Sequence, residues 1–499
     1  MRLLRRSLPL LVLLLPLDAV TAIAGESAPP PAVSGWMALP FILLLLSIAV
    51  IPFISKTWWE RNYALVAGFL GVVSVAYYLL ILGSTERPLH TLEEYVSFIA
   101  LIGSLFVVSG GIHIRIRGKS TPAANVVLLA IGGVVSNVVG TTGASMILIR
   151  PYLRVNNYRV QPYHVVFFIF IVSNMGGALT PIGDPPLFLG YLKGVPFLWV
   201  LQQVWPAWLF AIGCILALFF VIDTLAFRRL SRQAHRAVEE HPEEGEVSGL
   251  HNILFLAVIL AAVFITHPPF LREAIMLLAA AGSYVSTRHE IHRKNEFNFI
   301  PIKEVGILFL GIFATMMPAL DWLEQNAARI GIQTAGQFYW TTGLLSSFLD
   351  NAPTYLNFLS AEIGLLVRPE AVTQVQHLIG AHGTNLGALP ASVAPDVAAT
   401  FGTLLRYHFD LVQSGAVTDD IIRTAYLLGN HPLYVQAISI AAVFFGACTY
   451  IGNGPNFMVK SIANQYGVDT PTFFGYVVKY TLPMLLPLFA LVWLLFFRG

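Results

Sequence analysis

The chain has 499 residues, 56% of them hydrophobic and 11% charged, with a formal net charge of +2 and a mean hydropathy of +0.71. Soluble domains carry about 25% charged residues, so a soluble enzyme, a nucleic-acid binder and a disordered scaffold are excluded. The near-neutral balance offers nothing to a polyanion, and two distant cysteines, Cys214 and Cys448, build neither a disulfide framework nor a metal site.

In chain order, 1–24 reads as a signal peptide: a basic start, a short apolar core and Ala22-Ile23-Ala24 as the cleavage site. A Pro-rich linker follows to Ser34. About 20 apolar residues cross a bilayer as helix. Candidate spans are 36–55 and 62–82 within an N-terminal region 36–94, then 95–112, 164–192 and 196–227. The linking region 228–303 adds 251–266 and 274–287, and the second half, 304–497, adds 304–320, 431–460 and 471–497. Two further stretches, 122–149 and 337–362, are broken near their middles by polar, Gly and Pro residues and are expected to be re-entrant hairpins. Basic residues decide orientation. Arg115, Arg117, Lys119, Arg150, Arg154, Arg159, Arg228, Arg229, Arg232, Arg236, Arg288, Arg293 and Lys294 share one face only if 122–149 enters and leaves by the same side. The expected protein is thus an all-α polytopic protein of the inner (plasma) membrane, with the mature N-terminus and the C-terminus outside.

The two halves echo each other. At an offset of 269, Gly177-Ala-Leu-Thr-Pro-Ile-Gly-Asp-Pro-Pro-Leu-Phe188 matches Gly446-Ala-Cys-Thr-Tyr-Ile-Gly-Asn-Gly-Pro-Asn-Phe457 at seven positions. Upstream, Ser136-Asn137 in one hairpin pairs with Asp350-Asn351 in the other at an offset of 214, and the extra chain is an external helical insertion, 363–430. The first half (95–227) and the second then have opposite orientation. Such an inverted-topology repeat is the mark of a secondary transporter.

Gly and Pro in mid-span free backbone groups, which survive in hydrocarbon only beside protein or a water-filled cavity. The stretch Thr180 to Pro186 should therefore unwind and offer carbonyls, the Thr180 oxygen and Asp184 to a hard cation. The stretch Tyr450 to Pro455 does the same, with Thr449, Gly452 and Asn453 in place of Thr180, Gly183 and Asp184. The hairpins contribute Ser136, Asn137, Thr141 and Thr142 on one side and Asp350, Asn351 and Thr354 on the other, with Asn174 ahead of the first break. Oxygen-only donors suit sodium-like ions; the ligand candidates are Asp184, Asn137, Asp350, Asn351 and Asn453. A carboxylate at mid-bilayer costs at least ~2.5 kcal/mol and defaults to a functional reading, so Asp184 and Asp350 are the candidates for exchanging a proton for a cation. Asp223, Glu304 and Asp321 lie near span ends and read as interfacial, as do His113, His164 and His431; Lys193 and Lys460 are expected to snorkel.

Asn174-Met-Gly-Gly-Ala-Leu-Thr-Pro-Ile-Gly-Asp184 and Asp350-Asn-Ala-Pro-Thr354 resemble segments of the ion-transporter superfamily, which includes NhaD-type sodium/proton antiporters, arsenite efflux carriers and divalent anion/sodium symporters. The first string looks like the Gly-Gly…Pro-Ile-Gly-Asp segment of the NhaD type, and the second like its Asp-Asn-Val-Pro hairpin. Pro185-Pro186 is closer to the arsenite-carrier branch. The resemblance implies a scaffold and a transport domain, a homodimer, an elevator-like motion and no cofactor. It implies sodium or lithium ions and protons as partners, in a lipid setting. The dicarboxylate symporters carry Ser-Asn-Thr at both hairpin tips, and an acid at Asp350 would repel a dicarboxylate. Sodium/proton antiport is the leading expectation, with arsenite efflux or organic-anion symport on the same machinery as the alternative. No His-Glu-x-x-His, Walker A or Gly-x-Ser-x-Gly motif suggests an enzyme.

Overall fold

A chain surrounded by lipid must satisfy each backbone N–H within its own segment, and this chain is helical almost throughout. The structure, a computed structural model, describes residues 33–115, 120–229, 246–265, 268–385 and 393–498. The expected signal peptide 1–24 lies outside them, as do Arg117, Lys119, Arg232 and Arg236. The described strands are three residues each, β1 (His113–Arg115) and β2 (Glu246–Ser248), paired antiparallel. Eight described helices are long and apolar enough to cross a membrane. The protein is an all-α, multi-pass membrane protein.

The first half contains α1 (Leu39–Ile54), α2 (Lys56–Ala76), α3 (Glu86–Gly110), α4 (Pro122–Val155), α5 (Pro162–Ile171), α6 (Pro185–Leu192) and α7 (Phe197–Arg228). The link holds α8 (Asn252–Ala262), α9 (Leu271–Ser286) and α10 (His289–Lys294). The second half starts with α11 (Ile300–Ile330), α12 (Ala335–Phe348) and α13 (Asn351–Leu366). Then come α14 (Pro369–His382), α15 (Pro395–Tyr407), α16 (Phe409–Ser414), α17 (Asp419–Asn430), α18 (Pro432–Phe445), α19 (Gly454–Gln465) and the C-terminal helix α20 (Phe473–Phe497).

Expected spans 251–266 and 274–287 are shorter than a bilayer. Helix α8 has 11 residues and α9 has 16, or about 16 and 24 Å against a hydrocarbon core of about 30 Å. Polar His251 bounds α8, where hydropathy alone saw a longer run, and the Pro268-Pro269 pair separates α8 from α9.

Helix α4 doubles back at Gly140, whose φ of 78° and ψ of 154° interrupt the helix. A Cβ on Gly132 would lie 3.3 Å from Leu148 Cδ1, although residues 16 apart in a straight helix stand about 24 Å apart. Asn125 and Asn156, at the two open ends, exchange hydrogen bonds of 2.8 Å. Arms α12 and α13 form a second hairpin whose tip is Leu349-Asp350. The first hairpin packs on α19, and the arm α13 packs on α6, so each half's hairpin reaches the broken helix of the other half. Between α13 and α18, the described residues 369–385 and 393–430 include the short helices α14–α17 with a small core of their own, including Val375, Val397, Leu404 and Ile422.

Candidate functional site

Two breaks create the site. After α5 the chain passes through a short 3-10 turn (Met175–Leu179) and an extended Thr180 before Asp184, in extended conformation, opens α6. After α18 the same sequence of states runs through Gly446–Cys448 and Thr449 to Asn453, which opens α19. Prolines at the first or second position of α6 and α19 suit helix starts, where no backbone donor is lost. The glycines permit the close approach. A Cβ on Gly176 would lie 2.6 Å from Gly133 Cα and 2.5 Å from Ile171 O, and one on Gly183 would collide with Gly177 O.

Hydroxyls tie the breaks to the hairpins. Thr180 Oγ1 donates to Asn137 O at 2.6 Å, and Thr449 Oγ1 donates to Ser347 O at 2.5 Å. Each Thr also accepts from the glycine three residues on, Gly183 N or Gly452 N, at 3.1 Å. These matched bonds relate Asn137 to Ser347, an offset of 210, and correct the offset of 214 that paired Ser136-Asn137 with Asp350-Asn351. Ser136-Asn137 stand about one helical turn before the tip, whereas Asp350-Asn351 are at it.

Asn137 is corrected as well. Its amide donates to Gly133 O and Gly176 O, and its Oδ1 accepts from Leu179 N. Two of these three bonds hold the break against the hairpin, so Asn137 serves as a strut in this arrangement. Ser136 is likewise a strut, donating to Gly132 O and Val172 O. Thr354 donates to Asp350 O within its helix, and Thr142 lines a small cavity with Leu105, Gly140, Ile182 and Phe188.

The residues that do converge surround Asp184, which is fully buried. Its Oδ1 accepts from Thr141 Oγ1 at 2.7 Å and Asn453 Nδ2 at 3.0 Å, and its Oδ2 accepts from Asn351 Nδ2 at 2.5 Å. Thr141 opens the returning arm of the first hairpin, and Asn351 opens α13. Asp184 and Asn453 precede α6 and α19. Residues at four helix starts therefore meet at one carboxylate. Two amide oxygens beside it, Asn174 Oδ1 and Asn351 Oδ1, are buried without a hydrogen-bond partner. Both amides border one spot, since a Cβ on Gly446 would lie 3.0 Å from Asn174 Oδ1 and 3.4 Å from Asn351 Nδ2. Asp350 is only partly buried, and its carboxylate accepts from Ala352 N at 3.0 Å as the cap of α13.

Several residues gain roles that spacing did not reveal. Asn456 donates to Gly446 O and Thr449 O, and its Oδ1 accepts from Asn174, so it locks the two breaks together. Ser173 O accepts from Asn453. Asp223 and His164 are fully buried rather than interfacial. Asp223 binds Arg159 at 2.5 and 2.8 Å and Tyr163 at 2.6 Å, with His164 Nε2 at 3.2 Å. His113 is buried too, its Nδ1 2.8 Å from Asn295 Oδ1. Lys193 does not snorkel; it pairs with Glu94 at 2.7 Å and Asp420 at 3.3 Å. Lys460 lies 4.1 Å from the centroid of the Tyr450 ring.

Chemically, the pocket is a carboxylate compensated by hydroxyl and amide groups, with spare carbonyl oxygens at its side. It can take a proton or a hard cation. A comparison with curated proteins finds no match. Residues 31–497 match the model of a family described as "Putative citrate transport", and on that match over nearly its whole length the chain belongs to this family of membrane transporters.

Proposed function

We propose that the chain is a sodium/proton antiporter in which Asp184 takes a proton in one half of the cycle and sodium (or lithium) in the other. One observation carries this reading: a fully buried carboxylate ringed by Thr141, Asn351 and Asn453, with two unpartnered amide oxygens beside it. Proton and cation neutralise the same group, so they compete for it. A sodium ion would draw on Asp184, Asn174 Oδ1 and Asn351 Oδ1, with the Asn351 and Asn453 amides turning as the ion replaces their hydrogen bonds. The hairpins, reaching crosswise onto the broken helices, suit alternating access to this pocket, and the family resemblance favours a homodimer.

The family description favours a second reading, citrate moved together with a cation. The cation would then occupy the Asp184 pocket and the anion a neighbouring one, because a carboxylate here repels citrate. Purified protein in liposomes with an internal pH dye separates the two. Antiport requires proton movement on adding sodium or lithium with no citrate present. Proton movement that appears only with citrate would replace the first reading by the second.

A further inference from the structure

Glu362 lies outside the carboxylate pocket. It is fully buried on α13, and neither carboxylate oxygen has a hydrogen-bond partner. An ionised carboxylate in that position is strongly disfavoured, and acids inside membrane spans mark ion or proton routes.

Its place on the helix adds a second observation. Asn351, Tyr355 and Glu362 are separated by four and seven residues. They share one face of α13 within about 40°, with Glu362 about 16 Å along the axis from Asn351. Tyr355 is also fully buried. Its hydroxyl makes no hydrogen bond and would lie 2.6 Å from a Cβ on Gly190 of α6, and α13 packs against α18, where Ser439 Oγ donates to Val435 O. Also on α18, Tyr434 is partly exposed and its hydroxyl donates to Gln333 O at 2.8 Å. One helix face thus carries separated polar groups from the Asp184 pocket towards the protein surface.

The charged groups on the neighbouring elements are engaged elsewhere. Asp321 and Glu324 of α11 pair with Arg87 and Arg423. On α17, Asp420 pairs with Lys193, which also holds Glu94 of α3 at the end of α6. Tyr339 of α12 donates to Phe489 O, and His431 stands at the start of α18 against the rings of Tyr426 and Tyr434.

We propose that Glu362 is a second proton-binding site, on a branch of the translocation route that joins the Asp184 pocket to the surface beside Tyr434. The proton rests on a Glu362 carboxylate oxygen, and Tyr355, on the same face of α13, stands between Glu362 and the Asp184 pocket. The role rests on the proton-coupled reading above.

Infrared difference spectra of the full chain in detergent, recorded through a pH titration, test proton binding without any transported ion. The wild type should show the carbonyl band of a protonated carboxylic acid that Glu362→Gln lacks; identical spectra overturn the site. In liposomes, Glu362→Gln and the ring-preserving Tyr355→Phe should lose cation-driven proton movement while binding radiolabelled sodium as the wild type does. Wild-type proton movement in both variants overturns the route. A wild-type protein that moves no protons refutes the exchange reading alone, and the infrared band still decides whether Glu362 binds one.

Discussion

Replacing Asp223 with alanine should destabilise the protein more than any substitution on its surface. The carboxylate joins three segments: Asn125 near the start of the first hairpin, Arg159 to His164 from the α4–α5 connection into the start of α5, and its own helix α7. It accepts two bonds from Arg159, one from Tyr163 and one from Asn125 at 3.1 Å, and the Arg159 side chain is 2% exposed. Alanine leaves the guanidinium buried without its counter-charge. Breaking a buried pair costs about 3–5 kcal/mol, and each orphaned neutral donor adds about 1–3 kcal/mol. These groups share one cavity and relax together, so the penalties do not sum, and we expect a loss of about 4 kcal/mol. The assay is denaturant unfolding of the purified protein in detergent, followed by tryptophan fluorescence. Asp223→Leu combined with Arg159→Met removes both charges and should recover most of the loss. Wild-type stability in Asp223→Ala, or a double variant weaker than the single one, would refute the reasoning.

Gly176→Ala should abolish folding or transport, because its methyl meets the backbone of Gly133 and Ile171, which cannot move aside as a side chain would; monodisperse, fully active protein would show that the break tolerates wider spacing. Asn453→Ala keeps the Asp184 carboxylate but removes one partner, so the apparent KM for the cation should rise with maximal rate largely kept; a loss of rate at unchanged KM would give Asn453 a different role. In the insertion, burial pushes Asp396 up, but hydrogen bonds from Arg368 and Tyr426 outweigh it and hold its carboxyl below the usual range. A depressed native value gives stability present at neutral pH and lost as pH falls below about 4. Asp396→Asn should therefore loosen the packing of α14 and α15 at pH 7, read by hydrogen exchange, and unchanged exchange there would contradict it.

The breaks and Asp184 were legible because Gly and Pro in an apolar run leave backbone groups that must be satisfied somewhere, a constraint that acts locally along the chain. The repeat match located Asn453 for the same reason. The hairpins were readable as interrupted spans, but not their register. Ser136-Asn137 resembles a ligand pair by residue type, and the backbone reversal at Gly140, with the Thr180 and Thr449 bonds, shows that it lies a turn before the tip. The Asp223 cluster was hidden because its members come from three elements up to 103 residues apart, Ser120 to Asp223, with no period or spacing to join them. Asp223 and His164 each sit near a helix end, where a charged residue is ordinarily solvated; burial followed from how the first hairpin folds back. Lys193 misled similarly, since Asp420, one of its two partners, belongs to the insertion.

The most direct measurement is sodium-driven proton movement in liposomes reconstituted with the wild type and with Asp184→Asn. The variant keeps the shape of the side chain but cannot ionise, so it can exchange neither proton nor cation. The account predicts that proton movement driven by sodium is present in the wild type and absent in folded Asp184→Asn protein at every pH. Sodium/proton exchange surviving in Asp184→Asn with its pH dependence intact would contradict it.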